Sequence, residues 1–379
     1  MLPGLRPFYV MEITARSKEL EARGQRVLHM ESGEPGAPPA PAVREAVRRA
    51  LDLPQHYTPS GGIAPLRAGL AAYYEAQHRV AVPPEAIMVT MGSSAAFILA
   101  FLAAFRPGAR VAVTRPGYPA YLNTLLGLGM VPVEIEVSAQ SGWRLSAEDV
   151  ERAYRETPFD GLLFASPANP TGAGVTGAAL AAIASTCTRL GVRFISDEIY
   201  HGLDYRGPSV SAAEFDPDAI IINSFSKYYC MTGWRVGWMV LPEDLRARAM
   251  MLQQNMFISA PTLSQIAAVA ALSERDYAEE QKAGYRTNRE ILAEGLARHG
   301  LVAANSGDGA FYSYVDVSAF TSDALSFAIA LLEKAGVAAT PGIDFDRVNG
   351  HRFMRFSYAG TRATVTEAVD RIDQFLTAL

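Results

Sequence analysis

Apolar positions fall into short runs separated by Ala-rich stretches of helical length. The runs at 87–90, 111–114, 131–137, 161–165, 192–196, 219–223 and 236–241 read as strands, and 93–105, 118–128, 146–155 and 176–190 as helices. Strands that are apolar throughout are expected where helices cover both faces of a parallel sheet. The alternation therefore predicts an α/β fold, with a mostly parallel, doubly wound sheet in a large domain over 41–289. Helices near 243–254, 261–272 and 276–299 follow. The pattern then changes to strands at 311–317 and 352–358 with helices at 322–335 and 361–378. This second part is expected to form a smaller α+β domain of residues 290–379, packed with the amphipathic segment 1–40.

Composition narrows the class. The chain has 379 residues, 49% hydrophobic and 19% charged, with a net charge of −5, so disorder is excluded and no basic surplus points to nucleic acid. The longest apolar run, 95–105, is too short to span a bilayer. Cys187 and Cys230 form no C-x-x-C pair, which fits a reducing compartment. A cytoplasmic protein without membrane partners is expected.

The chemistry is equally selective. There is no G-K dipeptide of a P-loop, no G-x-S-x-G and no H-E-x-x-H, and the six histidines show no ligand spacing, so no metal site is expected. Gly172, Gly174 and Gly177 match G-x-G-x-x-G, with Asp197 twenty residues beyond. A strand running straight into the first glycine is missing, however, because SPANPT intervenes. An NAD(P)-dependent dehydrogenase is therefore the weaker alternative.

Of 34 basic residues only four are lysines. Lys18, Lys282 and Lys334 lie in charged helical stretches, whereas Lys227 follows a buried strand in INSFSKYYCMTGWRVGW. Burial lowers an amine's pKa and frees it to form a Schiff base. Ser224 and Arg235 flank it at a spacing suited to holding a phosphate.

With PANPTG at 167–172, DEIY at 197–200 and RFSY at 355–358, this lysine block makes the chain resemble the class I/II aminotransferases, fold type I enzymes dependent on pyridoxal 5′-phosphate (PLP). The resemblance covers nearly the whole length. It implies that Lys227 carries the cofactor as a Schiff base and acts as general base and acid. It further implies that Asp197 pairs with the pyridine nitrogen, that Asn169 and Tyr200 bond O3′, and that Tyr118 stacks on the ring. The helix start Gly92, Ser93 and Ser94, with Ser224 and Arg235, would hold the phosphate. Tyr57 would reach the phosphate of a partner subunit's cofactor, making a homodimer. Arg355 would grip the substrate α-carboxylate beside Gly33 and Asn169.

The implied reaction moves an amino group from an L-amino acid to a 2-oxo acid. A β-eliminating C–S lyase on the same scaffold is the alternative. A third rival, a PLP sensor fused to a DNA-binding module, is disfavoured because family-like sequence begins at Met11. The uncharged Gly92–Ala95 loop leans toward neutral or aromatic substrates.

Overall fold

The computed structural model describes Leu5 and residues 8–303 and 307–379. Seven strands form the main sheet, in the order Ile87–Thr90, Gly237–Val240, Ile220–Ser224, Arg193–Asp197, Gly161–Ala165, Arg110–Arg115 and Val131–Glu136. The last five run parallel, and Gly237–Val240 is antiparallel to both its neighbours. Successive residues of a strand point to opposite faces, and each face here is covered. Leu163, Ile220 and Ile222 pack with the helix Gly92–Ala104 and with Leu245 and Ala249 of the helix Glu243–Met256. On the other face Leu162, Phe164 and Ile221 pack with Leu180, Ile183 and Cys187 of the helix Gly177–Leu190. Most of the apolar runs read from the sequence are thus strands buried on both sides; 131–137 is not, because Val131–Glu136 lies at the sheet edge and is half exposed.

Helix ends follow local chemistry. Ser146 and Asp149 form a reciprocal capping box at the start of Ala147–Glu156. Thr176 caps Gly177–Leu190, which ends at Gly191 with φ +68°. In contrast, Gly92–Ala104 starts after Met91 with no side chain on its free N–H groups.

A second sheet of three antiparallel strands, ordered Thr340–Pro341, Phe353–Ser357 and Tyr312–Asp316, lies with the helices Arg275–Ala297, Ala324–Ala335 and Arg362–Thr377. The boundary drawn at 289/290 falls within Arg275–Ala297. The first helix, Tyr9–Ala22, packs against Ala324–Ala335, and Leu28–His29 pairs in parallel with Val337–Ala338. Among the described residues, no helix is long and apolar enough to cross a membrane.

Candidate active site

The parallel strands change winding direction between Arg110–Arg115 and Gly161–Ala165, and ligands bind open α/β sheets outside the strand ends at such a point. Tyr118 follows the first of these strands, Asn169 follows the second, Asp197 ends the next, and Lys227 stands three residues beyond Ser224. The fold therefore gathers at one sheet edge residues spread over more than 100 positions.

Lys227 is half-buried. Its ammonium donates to the Gly33 carbonyl at 2.7 Å. Burial pulls its pKa down to about 8; nearby Glu34 opposes that, while Arg355 and Arg235 reinforce it. Gly33 has to be glycine, because a Cβ there would stand 2.5 Å from the Tyr312 hydroxyl.

Asp197 is 2% exposed, and burial lifts its pKa to about 6. Two donors moderate that rise: the Tyr121 hydroxyl and the Ile199 N–H, at 3.0 Å. The charge of Lys227 adds a weaker pull toward the ionised form. Tyr200 shares a 2.8 Å hydrogen bond with Tyr312. Tyr118 stands edge-on to Tyr121 at 5.4 Å, and its hydroxyl pKa is raised by burial against the fields of Arg355 and Arg235.

Around the uncapped start of Gly92–Ala104 the backbone leaves a cradle. Gly92 has φ +70°, and a Cβ on it would meet the Arg235 guanidinium at 2.5 Å. Arg235 itself has φ +51°, held by a hydrogen bond to the Thr232 carbonyl at 2.8 Å. Gly237 admits no side chain either, with Ser93 N 3.0 Å and Asn223 O 2.8 Å from a Cβ. Free N–H groups, a positive helix end and a guanidinium form a ready anion site. Ser93 is buried and Ser94 exposed. The Ser224 hydroxyl lies between Ser226 Oγ (2.9 Å) and Val236 O (3.1 Å).

Arg355 enters from the second sheet and is 5% exposed. It donates to Asn169 Oδ1 at 3.0 Å, to Thr340 Oγ1 at 3.1 Å and to the Glu31 carbonyl. Its guanidinium carbon lies 4.4 Å from the Tyr312 ring centre and 4.9 Å from that of Phe345. Among the described residues its buried Nε has no partner, a donor left for an incoming acceptor.

Of the residues singled out in the sequence, Tyr57 stands apart. It is 81% exposed, on a loop tied down by Thr262 to the His56 carbonyl and by Gln265 to Thr58. Sequence reasoning missed Tyr121, Tyr312, Thr340, Phe345 and Glu31. Only Tyr121 had a local signal, lying one helical turn beyond Tyr118. Of the glycine-rich stretch, 172–176 is a loop leading into the helix at Gly177, and its Gly174 N–H donates to the Asp308 carboxylate at 3.1 Å. That donor is committed to an acid, which weighs against a dinucleotide pyrophosphate there.

The orphaned Arg355 Nε and the Gly92 cradle match the two anionic ends required of a PLP enzyme's substrate and cofactor. Comparison with known proteins points the same way. A family model described as aminotransferase class I and II matches residues 25–372. A valine–pyruvate aminotransferase of Mycobacterium tuberculosis is 45% identical, over 98% of this chain and 97% of its own. The aspartate/prephenate aminotransferase of Thermus thermophilus is 33% identical over 98% and 97%. A crystal structure of an aminotransferase from M. tuberculosis superposes with a TM-score of 0.95 at 44% identity, covering 100% of this chain and 99% of that one.

Proposed function

Because the chain belongs to the class I and II aminotransferases, PLP-dependent enzymes that transfer an amino group to a 2-oxo acid, we propose how its own residues divide that work. The bound cofactor supplies an electron sink that acidifies the substrate Cα–H. Lys227 is the attachment point and moves the proton. Its pKa near 8 leaves a substantial neutral fraction at physiological pH, as a base requires. Asp197 holds the pyridine nitrogen, whose positive charge would favour the ionised carboxylate over the neutral form that burial favours. Tyr121 fixes that carboxylate's orientation.

Gly92, Ser93, Ser94, Ser224 and Arg235 hold the phosphate, Asn169 and Tyr200 hold O3′, and Tyr118 covers the ring. Arg355, with Gly33 and Asn169, grips the substrate carboxylate. Two parallel N–H donors at this site fix the carboxylate plane, so the Cα–H bond rather than the carboxylate is presented for cleavage. The observation that carries the assignment is the half-buried Lys227 ammonium, its pKa lowered, within the same cluster as Asp197 and Arg355.

The donor is proposed to be a neutral amino acid, with pyruvate as acceptor. The 45% identical relative is named for valine and pyruvate, and the Gly92–Ala95 turn carries no cation for a second carboxylate. Nothing in the relatives' names favours the lyase. The exposed Tyr57 supports a homodimer in which it reaches the neighbouring site. A cytoplasmic, biosynthetic enzyme with a large domain of 41–289 and a small one of 1–40 and 290–379 completes the reading.

Borohydride reduction followed by peptide mapping tests the site. Cofactor fixed to Lys227 is expected, and label on another lysine overturns the assignment. A panel of donors against pyruvate tests specificity. A higher kcat/KM for aspartate or glutamate than for valine would refute the neutral-donor reading.

A further inference from the structure

A second cavity, of about 450 Å3, lies under the segment that carries Lys227. Of the residues assembled above, Asn223 and Ser224 border it. Its size falls within the range of small-molecule sites. Two properties of its lining point to a ligand.

The first is an aromatic wall: Tyr73, Tyr205, Tyr228, Tyr229 and Trp238 all border the space. Flat apolar faces of this kind favour a flat ring.

The second is charge. Arg206, Arg275, Lys282 and Arg286 line the cavity against only Asp204 and Glu279. Both acids are engaged, Asp204 by the Ser209 hydroxyl and Glu279 by the Tyr228 hydroxyl (2.7 Å) and Lys282 (3.5 Å). Arg206 pairs with Asp308 at 3.0 Å. Arg275 and Arg286 have no carboxylate partner among the described residues; Arg286 lies 5.8 Å from the Tyr205 ring centre. Two guanidinium groups are therefore available to an anion.

The wall also contains a buried polar orphan. His78 is 6% exposed, and its Nδ1 lies 2.9 Å from Glu214 Oε1. Among the described residues its Nε2 has no partner. Burial lowers the pKa of His78, and that of the adjacent His201 to about 3, so both rings are neutral. With Nδ1–H donating to Glu214, Nε2 is a bare acceptor for an O–H or N–H.

We propose that this cavity is a second ligand site, for a planar aromatic anion bearing a carboxylate or phosphate and a ring hydroxyl or N–H. The ring would lie against the tyrosines and the anion between Arg275 and Arg286. Such an occupant touches Ser224 on one side of Lys227 and Tyr228 and Tyr229 on the other, so it is placed to act on the catalytic segment.

Calorimetric titration of the holoenzyme with 4-hydroxybenzoate, phenyl phosphate and inorganic phosphate tests this. A saturable event is expected for at least one aromatic probe, at least tenfold tighter than for inorganic phosphate. The two aromatic probes tell a carboxylate from a phosphate ligand. In the Arg275→Glu/Arg286→Glu variant that event should weaken at least tenfold. Without probe, its kcat/KM and visible absorbance should match those of wild type. Should that variant lose its cofactor, Arg275→Gln/Arg286→Gln replaces it, with the same expectation. Absence of any aromatic event, equal affinity for inorganic phosphate, or affinity unchanged in the variant would overturn the proposal.

Discussion

The two arginines of the site are held in opposite ways. Arg235 is exposed, in a left-handed backbone conformation, and rests on Gly92 with one hydrogen bond to its own turn. Everything that shapes this cradle lies in 90–93 and 223–237, two segments joined where Gly237 stands between Thr90 and Ser224. Arg355 is buried, and its partners Glu31, Asn169, Tyr312, Thr340 and Phe345 come from widely separated parts of the chain. A group that receives a cofactor once can be built locally and stay open until it is filled. One that must grip successive substrates has its geometry fixed beforehand by the surrounding protein.

This contrast predicts separable defects. The largest belongs to the buried arginine. Arg355→Ala should lower kcat/KM about 10²–10³-fold for every amino donor, equivalent to roughly 3–4 kcal/mol. Cofactor absorbance should not change; loss of cofactor in that variant would erase the distinction.

Next comes Asp197. Its folded pKa of about 6 exceeds the value of an ordinary carboxyl, so the native apoprotein binds the proton more tightly than the unfolded chain. Stability from this group is present at low pH and lost as pH rises from about 4 through 6. Apo Asp197→Asn should therefore gain on wild type by roughly 2–3 kcal/mol at pH 7.5, and the gain should vanish near pH 4. Urea unfolding at both pH values measures it.

Gly92→Ala addresses the cradle. The added methyl displaces Arg235, and loss of one charge-assisted hydrogen bond should weaken cofactor binding about tenfold. Donor KM in the cofactor-saturated variant should stay near wild type. The smallest effect is expected for Tyr121→Phe, which removes one donor to Asp197. A kcat decrease of roughly threefold, with the apo Asp197 pKa moved further up, is the expected outcome. NMR titration of the carboxyl carbon would follow that pKa.

The same contrast explains what was legible in the sequence. Strands such as Gly161–Ala165 and Ile87–Thr90 were readable to the residue, because burial on both faces writes an unbroken apolar run between polar turns. Lys227, Ser224 and Arg235 were legible because the cradle is a local motif. The reversed direction of Gly237–Val240 was not, since an apolar run carries no mark of its polarity. Nor were the supports of Arg355. Glu31 contributes a backbone carbonyl, which any residue possesses, and Thr340 meets Arg355 only through strand register. Tyr121 reaches Asp197 across 76 residues, a contact set by the order of strands rather than by neighbours in the chain.

The pairing of Leu28–His29 with Val337–Ala338 has a consequence for how the protein is made. Glu31, which follows that strand, is made 324 residues before Arg355, which it holds. Until Val337–Ala338 is made, Leu28–His29 has no strand partner, while the main sheet, complete by residue 240, is free to form. Contacts so distant in sequence close late. Nascent chains stalled between 240 and 337 should therefore carry a folded sheet and an unprotected amino-terminal segment open to proteolysis. The contacts that hold Arg355 would thus form only after the main sheet.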